Sequence, residues 1–513
     1  GSRRPPQPKL HWPPVSRACV PFCLNFIPFL KKHQLRPKSR EFVKIAEKRY
    51  DFYNMTITLF NSLKNKKEKF KPIKTGEVSM YHCGPTVYDR QHLGNLRSAV
   101  IWDLLRRFFE LSGYETNQVI NLTDFGHLTS DQDEGEDKMA KGLRRENLPF
   151  TLEAMKTLAQ KYAAIYVEDR NKLNCLKPTH LPFASDHIKE SIELIKKLEE
   201  KNLTYKTSDG IYFDTSKIKN YIKFGNPEEN RESRIGKNPE KKEDRDFALW
   251  KFASDEKIGW MSPWGSGFPG WHVECSVMSK KYLGETFDIH TGGIEHKPIH
   301  HTNEIAQSES ATEKPMAHFW MHNEHLILQS GKMAKSAGNS ITLKELEEKN
   351  LDPISLRLLF LQAHYRSPQI FSWDALEASE TALSKIRHFV AEEILNEKKP
   401  NAKYVSEFKT IIGNDLDTPK ALALLWEVMK DDSLGKDVRK ATILEFDKVF
   451  GLNLKNYKSP LLEIPQNIKD LMTQRENARK EKDFKKADEL RDLIKKEGFN
   501  VNDNDGPSSI SSM

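Results

Sequence analysis

Cysteine is scarce in this chain, with five in 513 residues, at positions 19, 23, 83, 175 and 275. An odd number of thiols, mostly far apart in a long chain, argues against a disulfide framework and leaves them free or bound to metal. Long apolar runs are missing too. No stretch approaches the roughly 18 apolar residues of a membrane span. With 37% hydrophobic and 30% charged residues, the composition predicts a soluble, cytoplasmic, multidomain protein with no membrane partner.

Acidic residues are missing from the start of the chain. Residues 1–54 hold none before Glu41, and carry 12 Lys or Arg against three Asp or Glu, together with eight prolines. The overall charge of +8 is therefore concentrated there, and the sequence from Met55 onward sums to about −1. Bulk basicity is thus no argument for a nucleic-acid partner. An organellar presequence would also be Arg-rich and acid-poor, but Pro5, Pro6, Pro13 and Pro14 interrupt the amphipathic helix it needs. The plainer reading of 1–54 is a vector-derived leader or a mis-assigned start, with Met55 the natural one. Cys19 and Cys23 have no matching Cys/His pair nearby and carry no metal expectation.

No internal repeat is present, and a single core stops growing near roughly 250–300 residues, so two or more domains are expected. Val78 to His82 alternates as a strand does, and a turn-rich segment, Cys83 to Gly94, follows it. Leu96, Val100, Leu104, Phe108 and Leu111 recur at helical spacing, which predicts a helix from Asn95 to Ser112 stopped by Gly113. Gln118 to Leu122 reads as the next strand. Strand, turn, helix, strand is the unit of a parallel doubly wound sheet. Residues 178–260 interrupt it with a charged helix, Ile188 to Lys201, and a polar stretch, Asn226 to Asp246, which reads as an insertion. After Asp374 the pattern is helical, as in Ala375 to Leu395, Pro419 to Met429 and Ile468 to Glu497. The Gly/Ser/Asn-rich tail, Asn502 to Met513, is expected to be mobile.

Three sets of residues carry chemistry. His92-Leu-Gly-Asn95 stands where the strand meets the helix N-terminus, where free N–H groups and the helix dipole favour polyphosphate. Lys332-Met-Ala-Lys-Ser336, with Gly331 before it and Gly338 after, suits a loop that neutralises charge at a triphosphate. Alone, the first could be a capping histidine in a surface turn and the second a solvated basic turn. The third set is metal-ligating. Cys83 follows the first strand, Cys275 lies in Gly270-Trp-His-Val-Glu-Cys275, and His300 and Glu304 lie four apart and share a helix face. Two thiolates, an imidazole and a carboxylate suit tetrahedral zinc, although buried cysteines can also be plain small hydrophobes.

In this order and separation, the first two sets resemble the signature motifs of class I aminoacyl-tRNA synthetases. Met80 to Asp89, Ser262 to Cys275, and Phe287 to Gly293 through His300 to Gln307 resemble cysteinyl-tRNA synthetases, and the likeness extends from Met55 to Gly506. The resemblance implies an α/β fold. A Rossmann-like class I catalytic domain with an insertion would span 55–345 and a stem-contact linker 346–373. A helical bundle at 374–460 and a small anticodon-binding region with its tail at 461–513 would follow. It also implies ATP-dependent activation of L-cysteine, with Mg2+, and transfer to tRNA-Cys by a monomer. One zinc per chain would be held by Cys83, Cys275, His300 and Glu304, with His300 preferred to His301, and would bind the thiolate of substrate cysteine. Thr123 and Trp271 would line the cysteine pocket. His92, Asn95, Lys332 and Lys335 would be catalytic, and Gly94, Gly292, Gly293 and Lys335 would border the nucleotide.

The pattern departs from the family at Asn95, where a second His is usual, at Ala334 in the lysine loop, and after Asp124, where Phe125-Gly-His-Leu-Thr129 replaces the common continuation. Two rival readings keep part of the chemistry. A cysteine ligase acting on an amino sugar would share the catalytic domain but not a tRNA-reading C-terminal region. A zinc hydrolase or deaminase is suggested by His272-Val-Glu274, but the Pro-Cys-x-x-Cys pair of the deaminases does not follow and no H-E-x-x-H is present.

Overall fold

The computed structural model describes residues 56–126, 137–221, 224, 239–253, 258–328, 331–332, 340–391, 398–457, 465–497, 499–502 and 509–512. They fall into two compact units, one within 1–383 and 396–452, the other within 384–395 and 453–513. Among the described residues no helix is long and apolar enough to cross a membrane.

The first unit is built on a parallel sheet. A short antiparallel hairpin, β1 (Thr58–Asn61) with β2 (Lys66–Lys69), precedes it. Strand β3 (Glu77–His82) leads through the Cys83 turn into helix α1 (Leu93–Leu111), and the chain returns as β4 (Glu115–Ile120), parallel to β3. The expected helix is present because its stripe is apolar. Leu96, Val100, Leu104 and Phe108 are all buried, each contributing about 1.5–3 kcal/mol. His92 caps its start by accepting the Asn95 N–H at 3.3 Å, and Gly113, at φ 85°, takes the left-handed position after its end.

Two later strands, β9 (Phe287–Gly293) and β10 (Ala317–Asn323), complete the sheet in the order β10, β9, β3, β4, every pair parallel. Every residue of β9 is buried, as a strand covered on both faces must be. The chain leaves β3 towards β4 and later returns on its other side as β9. The β3/β9 boundary is therefore the switch point, where ligands bind beyond the strands' C-terminal ends. Cys83 follows the last residue of β3, and Gly292 and Gly293 end β9.

Between these halves, helices α2 (Lys138–Arg145), α3 (Leu152–Lys172) and α4 (Ile188–Glu200) lead to an antiparallel sheet of β5 (Thr204–Lys206), β6 (Gly210–Phe213), β7 (Phe247–Phe252) and β8 (Gly267–Pro269). His180 and Phe183 instead bridge in parallel to Val119 and Leu122, so the chain around 180 extends the nucleotide sheet before the second sheet begins.

Past α5 (Trp271–Leu283) and α6 (Thr302–Thr312), β11 (Leu326–Leu328) pairs with β12 (Gly331–Lys332) and with β13 (Gln369–Phe371). Helices α7 (Leu343–Glu348), α8 (Pro353–Leu361), α9 (Trp373–Ala391), α10 (Ala402–Gly413), α11 (Thr418–Lys430) and α12 (Lys436–Phe450) follow. The fully buried Arg357 ties α8 to the site's scaffold. Its guanidinium meets Asp103 Oδ2 at 2.7 Å and donates to the carbonyls of Phe450 at 2.6 Å and Leu173 at 2.9 Å.

In the second unit the stretch of helical periodicity from Ile468 to Glu497 forms two helices, α13 (Gln466–Lys480) and α14 (Phe484–Lys496). Lys482 takes a positive φ of 60° and Asp483 caps the next helix by accepting the Lys486 N–H, which breaks the chain where neither Gly nor Pro marks it. The tail also differs from expectation, because β14 (Phe499–Asn502) pairs antiparallel with β15 (Ser509–Ser512). Val501, just before that tail, is buried against Ile468 and Ile494.

Candidate metal and substrate site

Three stretches of chain meet beyond the β3/β9 ends. The ligand atoms of Cys83, Cys275, His300 and Glu304 all lie within 4.8 Å of one another. Cys83 Sγ is 3.9 Å from Cys275 Sγ and 3.9 Å from Glu304 Oε1, and His300 Nε2 is 3.0 Å from that same oxygen. Cys275 arrives on the first turn of α5, whose entry at Gly270 passes so close to the Ala248 carbonyl that any Cβ would overlap it. His300 lies in a π-helical turn, Lys297–His301, that runs straight into α6 and Glu304.

A second set overlaps the first: Cys83, His290, His301 and Glu304 also lie within 4.8 Å, with His301 Nε2 3.3 Å from Cys83 Sγ. The hydrogen bonds around the two sets separate their members. His272 Nδ1 lies 2.9 Å from His300 Nδ1, which leaves His300 Nε2 for the carboxylate side. His290 Nε2 lies 2.8 Å from Glu304 Oε2, which leaves Oε1 facing His300 and Cys83. His301 Nδ1 lies 2.7 Å from His322 Nε2.

Charge follows from this packing. Burial alone would raise the Glu304 carboxyl, but His290 and His300 hold it well below the usual range. Burial opposes charge on His300 as well, yet Glu304 and Cys275 bring it up to about 10. Burial and its histidine neighbours keep His301 neutral. Burial and the Cys275 thiol push Cys83 up, whereas Cys275, which burial would also raise, is drawn down by the Cys83 hydrogen bond and by His300. Two thiols, one of them already biased toward thiolate, an imidazole and an ionised carboxylate form a donor set that fits zinc.

Thr123, locked to the Cys83 turn by Thr123 N–H to Pro85 O at 3.1 Å, donates its hydroxyl to Glu274 Oε2 at 2.7 Å. Asn121 links it to the ligands, with Oδ1 3.9 Å from Cys275 Sγ and Nδ2 3.5 Å from the Thr123 hydroxyl. The Trp271 and His300 ring centroids are 4.1 Å apart, and Lys138 Nζ lies 5.4 Å from the centroid of the Trp271 ring. Asp124, held by the Ser185 N–H at 2.9 Å and hydroxyl at 2.5 Å, is raised by burial to about 6.

His92 Nδ1 accepts the Asn95 N–H, and its ring occupies the space a Cβ on Gly94 would need, 2.9 Å away. Leu93 N–H donates to Ile341 O at 2.8 Å and His92 bridges Thr342, so the chain after the lysine loop returns beside the first motif. Lys332 closes β12, while Lys335 lies outside the described residues. Gly292 leaves room for His296 and His301, since a Cβ there would come within 2.5 Å of the first and 2.8 Å of the second, and one on Gly293 would meet the Glu295 carboxylate.

Sequence reasoning gave no role to His290, His322 or Asn121, and weighed His272 and Glu274 only as part of a hydrolase motif. The alternation of β9 could have pointed to His290, but the pairing of His272 with His300 joins residues 28 apart on separate elements.

Residues 69–381 match the class I (C) tRNA synthetase catalytic domain family, and residues 462–507 the cysteinyl-tRNA ligase anticodon binding domain. A cysteine–tRNA ligase 1 from Burkholderia lata is 42% identical over 458 residues, covering 88% of this chain and 95% of the relative. The chain belongs to the cysteine–tRNA ligase family. Cysteine–tRNA ligases from Zymomonas mobilis and Treponema denticola are 39% and 38% identical, covering 88% and 89% of this chain and 96% and 99% of their own. A solved Mycobacterium tuberculosis methionyl-tRNA synthetase bound by methionyl-adenylate overlays with a TM-score of 0.49 at 14% identity, covering 73% of this chain and 90% of that one. The enzyme is thus an aminoacyl-tRNA synthetase, a class of ligase that uses ATP, an amino acid and tRNA.

Proposed function

We propose that the enzyme activates L-cysteine with ATP and transfers it to tRNA-Cys, and that Cys83, Cys275, His300 and Glu304 hold one zinc ion for that purpose. The observation that carries this reading is the convergence of those four ligand atoms, from three separate stretches of chain, at the switch point of the nucleotide sheet. Zinc bound there would supply a soft Lewis acid for the substrate thiolate. Of the two overlapping sets, this one is favoured because the hydrogen bonds from His272 and His290 turn His300 Nε2 and Glu304 Oε1 toward the thiols.

In activation, a carboxylate oxygen of cysteine attacks the α-phosphorus of ATP. The new O–P bond forms as the bond to the β-phosphate oxygen breaks, giving cysteinyl-adenylate and pyrophosphate. The start of α1 with His92 and Asn95 receives the phosphates, with Gly94, Gly292 and Gly293 giving room beside the nucleotide. Lys332 and Lys335 neutralise charge as it develops, and Mg2+, when bound, would add charge neutralisation for the phosphates. A terminal ribose hydroxyl of tRNA then attacks the activated carbonyl and AMP departs. Thr123 and Trp271 border the amino acid.

The match at 462–507 supports tRNA as acceptor over an amino sugar. A cytoplasmic monomer is the working form we propose. Charging assays with each amino acid and a total tRNA pool test the reading. Cysteine alone should be attached, and only to tRNA-Cys; ligation of cysteine to glucosamine derivatives without tRNA charging would replace it.

A further inference from the structure

Glu274 is 1% exposed, immediately precedes Cys275 on α5, and faces the Thr123 hydroxyl at 2.7 Å. A hydroxyl has a single proton, and this one is given to the carboxylate, so what Thr123 presents to its other neighbours is lone pairs. Its backbone cannot drift. Thr123 N–H binds Pro85 O at 3.1 Å and Val87 N–H binds Thr123 O at 2.9 Å, which fixes it to the turn that carries Cys83. Through Asn121 it stands one side chain from Cys275 Sγ. A second buried carboxylate, Asp124, follows it in the chain and interacts electrostatically with Glu274.

The substrate's own dimensions then matter. In cysteine only two carbons separate sulfur from the α-nitrogen, so a thiolate held at the ligand cluster must place its ammonium within about one side-chain contact of that cluster. An ammonium is a donor with no acceptor capacity. It needs acceptors and negative charge, and a donor-saturated hydroxyl backed by a buried carboxylate offers both.

We infer that Glu274 is a positioning residue for substrate. It accepts the hydrogen bond of the Thr123 hydroxyl, so that Thr123 is held as an acceptor for the α-ammonium of cysteine. The inference rests on the proposed activation of cysteine and deepens it: zinc would recognise one end of a small amino thiol and the Thr123–Glu274 pair the other. A glutamine at 274 could donate its amide to Thr123 instead, which would turn the hydroxyl proton toward the ammonium.

The test uses the full-length, zinc-loaded enzyme and two competitors of cysteine-dependent ATP–pyrophosphate exchange. Cysteamine keeps thiol and ammonium and lacks the carboxylate; 3-mercaptopropionate keeps thiol and carboxylate and lacks the ammonium. In Glu274→Gln, KM for cysteine and Ki for cysteamine should rise about 10- to 100-fold, the range expected for a lost hydrogen bond to a charged group. Ki for 3-mercaptopropionate and the zinc content should stay within about threefold of the parent. Thr123→Val should reproduce the pattern and Thr123→Ser should restore it, which separates the effect from misfolding. Equal weakening of both competitors, loss of zinc, or unchanged cysteamine binding would each overturn the inference. Absence of cysteine-dependent exchange in the parent enzyme would instead overturn the proposed function.

Discussion

His300 and Glu304 stand one turn apart with Nε2 and Oε1 separated by 3.0 Å, and each is held from behind by another histidine, His272 on the imidazole and His290 on the carboxylate. Outer partners of this kind fix the orientation of a ligand before metal arrives. The arrangement makes the site sensitive to single changes.

Cys275→Ser should lose zinc and cysteine activation together, because a hydroxyl replaces one of the two soft donors. Elemental analysis beside pyrophosphate exchange checks this. Retained stoichiometric zinc would show that the second set, with His301, is the one that binds.

Arg357→Met should destabilise the first unit by about 3–5 kcal/mol, since it leaves the buried Asp103 carboxylate without its guanidinium. Thermal unfolding should show a clearly lower Tm while the helices of the second unit, followed by a probe at Tyr457, hold their own transition. An unchanged Tm would mean that Arg107, 2.8 Å from the same Asp103 oxygen, carries the charge alone.

Asp124 has a folded pKa near 6, above the ordinary carboxylate value, so its neutral form is the better folded one. Its contribution is fully present below about pH 4 and is lost as pH rises through about 6, a change of about 2–3 kcal/mol. Asp124→Asn lacks this slope. Relative to the parent, the variant should gain stability between pH 4 and 7.5; an equal offset at both values would contradict the assignment.

Lys335→Ala should slow adenylate formation about 10²- to 10³-fold with cysteine binding nearly unchanged, as loss of one preorganised transition-state contact does. Single-turnover activation at the parent rate would remove this lysine from the mechanism.

Much of the site was legible because its chemistry needs particular residue types. Cys83, Cys275, His300 and Glu304 are residue types that zinc takes as ligands, and their ligand atoms come together, while the strand, helix and strand from Glu77 to Ile120 follow plain periodicity. The supports were not. His290, His322 and Asn121 act by facing residues from distant segments, and a lone polar residue on a buried strand carries no sign of its partner. The break at Lys482 was hidden for a related reason, because a left-handed lysine followed by a capping Asp leaves a helical composition intact.

A metal bound at Cys83, Cys275, His300 and Glu304 would read the substrate's sulfur. Serine differs from cysteine by one atom, and pocket shape alone gives about 10- to 200-fold discrimination on such differences. A thiol with pKa about 8.5 yields a thiolate readily and is the softer ligand, whereas a hydroxyl does not. The ratio of kcat/KM for cysteine over serine in ATP–pyrophosphate exchange decides the matter. The account predicts a ratio above about 10⁴, a preference of about 5.5 kcal/mol; a ratio below about 100, with hydrolysis of seryl-tRNA, would contradict it.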